Sequence, residues 1–176
     1  PWVLLIDADE RVSEALQDEI LTLPDNPPED GFFIRRDFYF YGRLMRHGGC
    51  YPDYILRLFK KDRARFSGSK THPFLEALGK TRRLSNPIIH PSYRNLEDYF
   101  ERFNRYTSSA ARERFMRGIK PSFLQVFRVP FEFTKRYIFQ LGFLDGYPGF
   151  LYALISSFYA YIKYAKLREI YKQNNS

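Results

Sequence analysis

Residues 3–12 read VLLIDADERV, an apolar run that ends in three carboxylates within four positions. Trp2 to Ile6 is continuously apolar and partly β-branched, the pattern of a strand covered on both faces. Acids that close together repel, and each raises the cost of ionising its neighbours. The stretch therefore asks for a compensating cation. In an extended chain the side chains at i and i+2 share a face, so Asp7 and Asp9 are expected to point the same way just past the strand end. In open α/β sheets that end borders the ligand crevice. Paired carboxylates there suit Mg²⁺ or Mn²⁺, which keep several waters and share their coordination with phosphates. The alternatives are an acidic cap on the helix that follows, or the acidic strand of a P-loop enzyme. The latter needs G-x-x-x-x-G-K-[ST], and this sequence has no such segment.

Working outward, Ser13 is placed to cap a helix through Leu23, with Leu16, Ile20 and Leu23 on one stripe, before Pro24, Pro27 and Pro28 impose a loop. Strands are expected over Gly31–Tyr41, Tyr54–Lys60 and Arg83–Ile89, with a turn-rich loop at 46–53. In the second of these, Ile55, Arg57 and Phe59 alternate against Tyr54, Leu56 and Leu58, predicting a half-buried strand. From Asn95 the texture becomes helical. Asn95 and Asp98 form a capping pair, a second helix follows Pro121 and is kinked or divided at Pro130, and a last one covers Phe150–Tyr171. The expected organisation is α/β over residues 1–93, then a helical region over 94–176.

The two parts differ in charge. Residues 1–93 hold 14 Lys/Arg against 13 Asp/Glu, whereas residues 94–176 hold 14 against 7, so +7 of the formal +8 lies in the second part. That part is expected to seek an anionic surface. Its apolar run FLYALISSFYAYI, residues 150–162, is shorter than the roughly 20 residues that cross a bilayer. With Lys163, Lys166 and Arg168 next to it, the pattern predicts a helix lying in the membrane interface, or else one packed on its own domain. No nucleic-acid-binding motif is present, which disfavours a nucleic-acid partner for the basic helices. The single cysteine, Cys50, excludes an internal disulfide and points to a reducing compartment.

The ordered set WVLLIDADERVS, GFFIRR, YGRLMRHGGCYPDYILRLFKK, THPFLEALGK, NPIIHPSYRNLEDYFERFNRYT and LDGYPGF resembles family 2 glycosyltransferases of the GT-A type, in particular those that build the bacterial lipopolysaccharide core. The resemblance implies a GT-A-like mixed sheet and a nucleotide-sugar donor held through Mg²⁺ or Mn²⁺ on Asp7 and Asp9. It also implies inverting displacement onto a glycan or lipid-linked acceptor at the cytoplasmic face of the bacterial membrane. The strands that hold the donor's base precede D-x-D in that fold. A nucleotide-binding part ahead of Pro1 is therefore expected, and this stretch alone is expected to be inactive. The family usually reads His-Glu where this sequence has His72-Pro73, so the base falls to Glu76, one helical turn on, or to Asp53, and His72 is expected to complete the metal shell or orient a substrate. Arg57 is expected either to bind the donor's phosphates or to form a salt bridge with an acid such as Asp53. His90 is expected to anchor the turn into the helices. A basic nucleic-acid- or membrane-binding module, or a glycosyltransferase remnant without activity, are the competing readings.

Overall fold

The computed structural model describes residues 1–69, 72–93 and 95–174, apart from the side chains at 68, 69, 72 and 73. The chain is mixed α/β with a mixed sheet and C-terminal helices, consistent with a glycosyltransferase-like α/β fold. It divides into two compact units: Pro1–Tyr39 with Pro52–Ser92, and Phe40–Tyr51 with Tyr93–Ser176. Residues 40–51, read from sequence as part of the α/β portion, group with the helices.

In the first unit the elements are β1 (Trp2–Leu4), β2 (Arg11–Val12), α1 (Glu14–Leu21) and β3, which runs Gly31–Phe40. A two-residue turn at Tyr41 and Gly42, both with positive φ, leads to the short β4 (Arg43–Leu44) of the second unit. The first unit resumes with β5 (Tyr54–Lys60), β6 (Ala64–Ser69), β7 (His72–Ala77) and β8 (Thr81–Pro91). The main strand order is β1-β5-β3-β8-β2. Within this order β3 and β8 run parallel, with Arg36 opposite Ile88 and Phe38 opposite His90, and the other neighbours run antiparallel. β1 stands at the end of this order and is half-buried, not covered on both faces. β5 carries the continuous burial instead, from Leu56 through Phe59, because strands flank it on both sides. β6 and β7 form a separate hairpin in which Arg65 faces Glu76.

Helix α1 packs Leu16 into a core with Phe32, Ile34, Leu58, Leu84 and Ile88, and Ile20 and Leu23 close its edge. Ser13 is its N-cap. The hydroxyl accepts from Leu16 N (3.2 Å) and donates to Pro87 O (2.8 Å), tying the helix start to β8. Removing both bonds in Ser13→Ala is expected to cost about 1–2 kcal/mol, read as a lowered urea midpoint with unchanged slope.

The second unit is built on α2 (Leu96–Met116), α3 (Arg128–Thr134) and α4 (Gly146–Asn174). Asn95 caps α2 by accepting from Asp98 N at 2.8 Å. Pro130 sits in the first turn of α3, where a missing N–H removes no helical bond. Gly149 packs against the carbonyl of Gly142, an approach that leaves no room for a Cβ. α4 starts earlier and ends later than its apolar run suggested. It is also the helix on which the unit is assembled: Ala153, Ser157 and Ala160 are buried, and Lys166 reaches Asn104, Thr107 and Ser108 of α2 at 2.6–2.9 Å. The positive charge at Lys166 is thus spent within the protein.

Candidate active site

β1 and β2 lie at opposite ends of the strand order, so residues 5–10 between them must pass across β5, β3 and β8. The basic side chains met on those three strands are Arg57, Arg36 and His90. This crossing explains the acidic cluster.

The chain does not stay extended through it. Glu10 N donates to Asp7 O at 3.0 Å, closing a turn over Ala8 and Asp9, and the Glu10 carboxylate accepts from Asp7 N at 3.0 Å. The i, i+2 alternation expected for Asp7 and Asp9 is therefore replaced by a turn, because the third acid folds back and bonds the first. The side chain of Glu10 is 0% exposed, while those of Asp7 and Asp9 remain 52% and 32% exposed. One acid is structural and two face outward.

Arg57 is the principal compensating cation. Its Nη2 donates to Asp7 Oδ2 at 2.5 Å and to Glu10 Oε1 at 2.6 Å, and the guanidinium is buried. Arg36 lies 3.8 Å from the same Glu10 oxygen. Two arginines thus supply the charge that the sequence led one to seek first in a metal. The hydrogen bond from Arg57 holds the Asp7 carboxyl below its ordinary pKa, against a smaller opposing effect of burial. Burial pulls the Arg57 guanidinium down, but Asp7 and Glu10 outweigh it and the net shift is upward. Both groups stay charged at neutral pH.

Arg57 forms the expected salt bridge, but with Asp7 and Glu10 and not with Asp53. Asp53 accepts from Arg36 instead, Oδ2 taking Nη2 at 2.7 Å and Nε at 3.0 Å, and its carbonyl accepts from Arg36 N at 2.8 Å. The Arg36 side chain therefore stands between Asp53 and Glu10. On β8, His90 Nδ1 is 3.7 Å from Asp9 Oδ1, beyond hydrogen-bonding distance. Burial and the charge of Arg36 lower the His90 pKa despite the nearby acids, so its imidazole is neutral at pH 7. His90 belongs to this site and does not merely anchor the turn that follows.

Beside the turn opens a cavity of about 680 Å³, with Asp7, Arg57, Tyr54, Phe66, Phe74 and Glu76 among its lining. The Nε–H of Arg57 is buried there with no hydrogen-bond partner, an unspent donor of a kind that native interiors rarely keep. Glu76 accepts from Arg65 across the β6–β7 hairpin at 3.2 and 3.3 Å and is partly exposed. His72 lies in β7 by its backbone, and its side chain falls outside the described residues. Of the sequence-derived candidates, Asp7, Arg57 and Glu76 line one cavity, Asp9 sits on the same turn as Asp7, and Asp53 is tied to Arg36. Glu10 and Arg36 were missed as functional residues, although both stand within quoted motifs, DADE and FFIRR.

No cluster of three or more His, Cys, Asp or Glu side chains forms a metal cage among the described residues. Asp7 and Asp9 fit a more open arrangement. Their exposed carboxylates are hard oxygen donors, and Mg²⁺ is commonly bound through one or two carboxylates with water and phosphate completing its shell.

A second acid, Asp145 in the LDGYPGF segment, does a different job in the helical unit. Its carboxylate accepts from Arg46 N (3.0 Å), His47 N (2.8 Å) and His47 Nδ1 (3.0 Å), pinning the RHGG loop. His47 is accounted for as a structural residue.

Comparison with curated proteins finds relatives over nearly the whole chain. The chain is 29% identical over 182 residues to an uncharacterized glycosyltransferase of Rickettsia typhi, covering 96% of this chain and 62% of that protein. It is 28% identical over 191 residues to an uncharacterized glycosyltransferase of Rickettsia bellii, covering 99% and 64%. It is 26% identical over 173 residues to the lipopolysaccharide core biosynthesis glycosyltransferase LpsC of Rhizobium meliloti, covering 95% and 63%. The chain resembles glycosyltransferases. It spans a little under two thirds of the length of these relatives. No protein-family model and no solved structure matches it.

Proposed function

We propose that this chain is the acceptor-side and helical portion of a metal-dependent, inverting family 2 glycosyltransferase. It would move a sugar from a nucleotide-sugar donor to a lipid-linked glycan of the cell envelope, of which the lipopolysaccharide core is the leading example. The enzyme would work at the cytoplasmic face of the membrane, with the basic helical unit towards anionic lipid. The observation that carries the reading is the turn that buries Glu10 on Arg57 while leaving Asp7 at the cavity and Asp9 partly exposed on the same turn.

In this reading Asp7 and Asp9 hold Mg²⁺ or Mn²⁺, which supplies Lewis-acid stabilisation of the departing diphosphate. Arg57 keeps Asp7 ionised, and its unspent Nε–H is a donor for an anionic group entering the cavity. Glu76 is the better placed base: it lines the cavity and, among the described residues, is held by a partly exposed pair with Arg65. Asp53, bound in a fork by Arg36, serves to fix that arginine. Inversion requires the acceptor hydroxyl to attack opposite the leaving diphosphate while a carboxylate takes its proton.

The test uses the full-length protein that contains this chain. Asp9→Ala and Asp7→Asn are each expected to lower turnover by at least about 100-fold while leaving the circular-dichroism melting curve in place. Chelation by EDTA should have the same effect on the unaltered protein, reversed by Mn²⁺. Tight oligonucleotide binding indifferent to Asp9, without sugar transfer, would favour a nucleic-acid-binding module and refute the enzyme.

A further inference from the structure

The helical unit leaves large apolar side chains in solvent along one consecutive stretch. Between residues 123 and 147 these include Phe123 and Phe139, 77% and 78% exposed, with Leu124, Phe127, Phe131 and Tyr147 also exposed. A soluble surface seldom keeps so many large apolar groups together without a partner. Among the described residues, no single helix is long and apolar enough to cross a membrane. The segments Phe123–Phe139 and Gly142–Asn174 pass that test only as a pair, and they are bent by 72°. The bend and the aromatic content describe a segment lying at the lipid boundary.

The same unit gathers cations that, among the described residues, form no ion pair with a carboxylate. Around the ring of Tyr164 stand Arg114 (5.0 Å from the centroid to Cζ), Arg128 (5.7 Å to Cζ) and Lys163 (5.8 Å to Nζ). They come from α2, the start of α3 and α4. Tyr164 and Arg168 also line a cavity of about 330 Å³ whose wall includes Ser122 and the exposed Phe123. Among the described residues, none of Arg114, Arg128, Lys163 or Arg168 makes an ion pair with a carboxylate. Burial, Arg114 and Arg128 together lower the pKa of Lys163 against a smaller opposing pull from the Glu132 carboxylate, as expected where like charges converge. Folding brings these cations together at a cost that an anion would offset.

Phe123 joins the two features, belonging both to the cavity wall and to the apolar stretch. We propose that this face docks on an anionic bilayer: the exposed side chains of residues 123–147 enter the headgroup–acyl boundary, and Arg114, Arg128, Lys163 and Arg168 hold a lipid phosphate. The inference rests on the membrane-facing role proposed above and gives it an address. That address is not the run 150–162, whose small residues are buried against neighbouring helices. The charge of the cluster argues for a phosphate-bearing surface over an apolar protein partner.

The test is co-sedimentation of the 176-residue chain with phosphatidylcholine vesicles, with and without phosphatidylglycerol. The chain should bind the anionic vesicles strongly, and added salt should weaken binding. Arg128→Gln with Lys163→Gln should weaken partitioning onto anionic vesicles about tenfold or more. Phe127→Ser with Phe131→Ser should weaken binding to either vesicle by a similar factor. All four positions are away from the buried core, and unchanged helical circular dichroism would show that the variants fold. Millimolar inorganic phosphate should leave vesicle binding in place. The proposal is overturned if the chain ignores anionic vesicles, if the charge pair is as good as the parent, or if free phosphate occupies the cluster while vesicles do not bind. Asp9→Ala should bind vesicles normally, so undiminished sugar transfer by the full-length Asp9→Ala protein, with vesicle binding intact, counts against the enzyme reading alone.

Discussion

Arg57→Met is expected to destabilise the α/β unit by about 3–5 kcal/mol, the range for removing one partner of a buried ion pair. The reason is Glu10, whose carboxylate is fully buried and takes its 2.6 Å bond from Arg57. Without Arg57 the nearest cation is Arg36, 3.8 Å from the same oxygen, which limits the loss but cannot restore a hydrogen bond. The Asp7 branch contributes little of this, since its carboxylate is half in water. Trp2, the only tryptophan, packs 5.5 Å from Phe32 in the same unit and reports the unfolding directly. Glu10→Gln combined with Arg57→Met should recover most of the loss, because no buried charge is then left unpaired. If Arg57→Met alone cost under about 1 kcal/mol, the buried pair would not be what shapes the turn. The acid side gives an independent check. The folded-state pKa of Asp7 is depressed, so its share of stability is present above the ordinary carboxylate value and fades as pH falls through the depressed one. Arg57→Met should remove that share of the acid dependence.

Asp145→Ala carries the second large effect, about 2–3 kcal/mol on the helical unit. The carboxylate is 3% exposed and satisfies two successive backbone N–H groups together with the His47 ring. Alanine leaves all three donors without that acceptor. Loss of the pin should also be visible locally, as faster tryptic cleavage after Arg46 than in the parent at the same global stability. Asp145→Asn, which keeps one carbonyl oxygen, should cost roughly half as much. Equal cleavage rates in all three proteins would show that the RHGG loop is held by something else. Gly48 is the other tie, with its N–H on Gln140 O and its carbonyl accepting from Arg136, and these bonds cap how far the loop can open.

What was legible in the sequence is what depends on neighbours in the chain. Ser13 and Asn95 announced their helices because a cap needs only an acceptor two or three residues ahead of an N–H. Tyr54–Lys60 read as a strand at its observed bounds, and the D-x-D stretch marked the place where the cavity lies. The β6–β7 hairpin was not read as one, since the pairing of Arg65 with Glu76 is a cross-strand event between stretches of weak alternation.

The partners of charged groups belonged to the tertiary structure alone. Glu10 meets Arg57 across 47 positions and Asp145 meets His47 across 98, and nothing local distinguishes those acids from Asp7 or Asp9. Legible from local order were the acidic cluster that follows a strand and the positive excess of the second half. Only the fold decided which acid is buried, which cations answer it and which apolar residues stay in water. The physical reason is that hydrogen bonds within a few residues are set by backbone geometry, whereas burial and charge pairing depend on which distant strands and helices come to lie side by side.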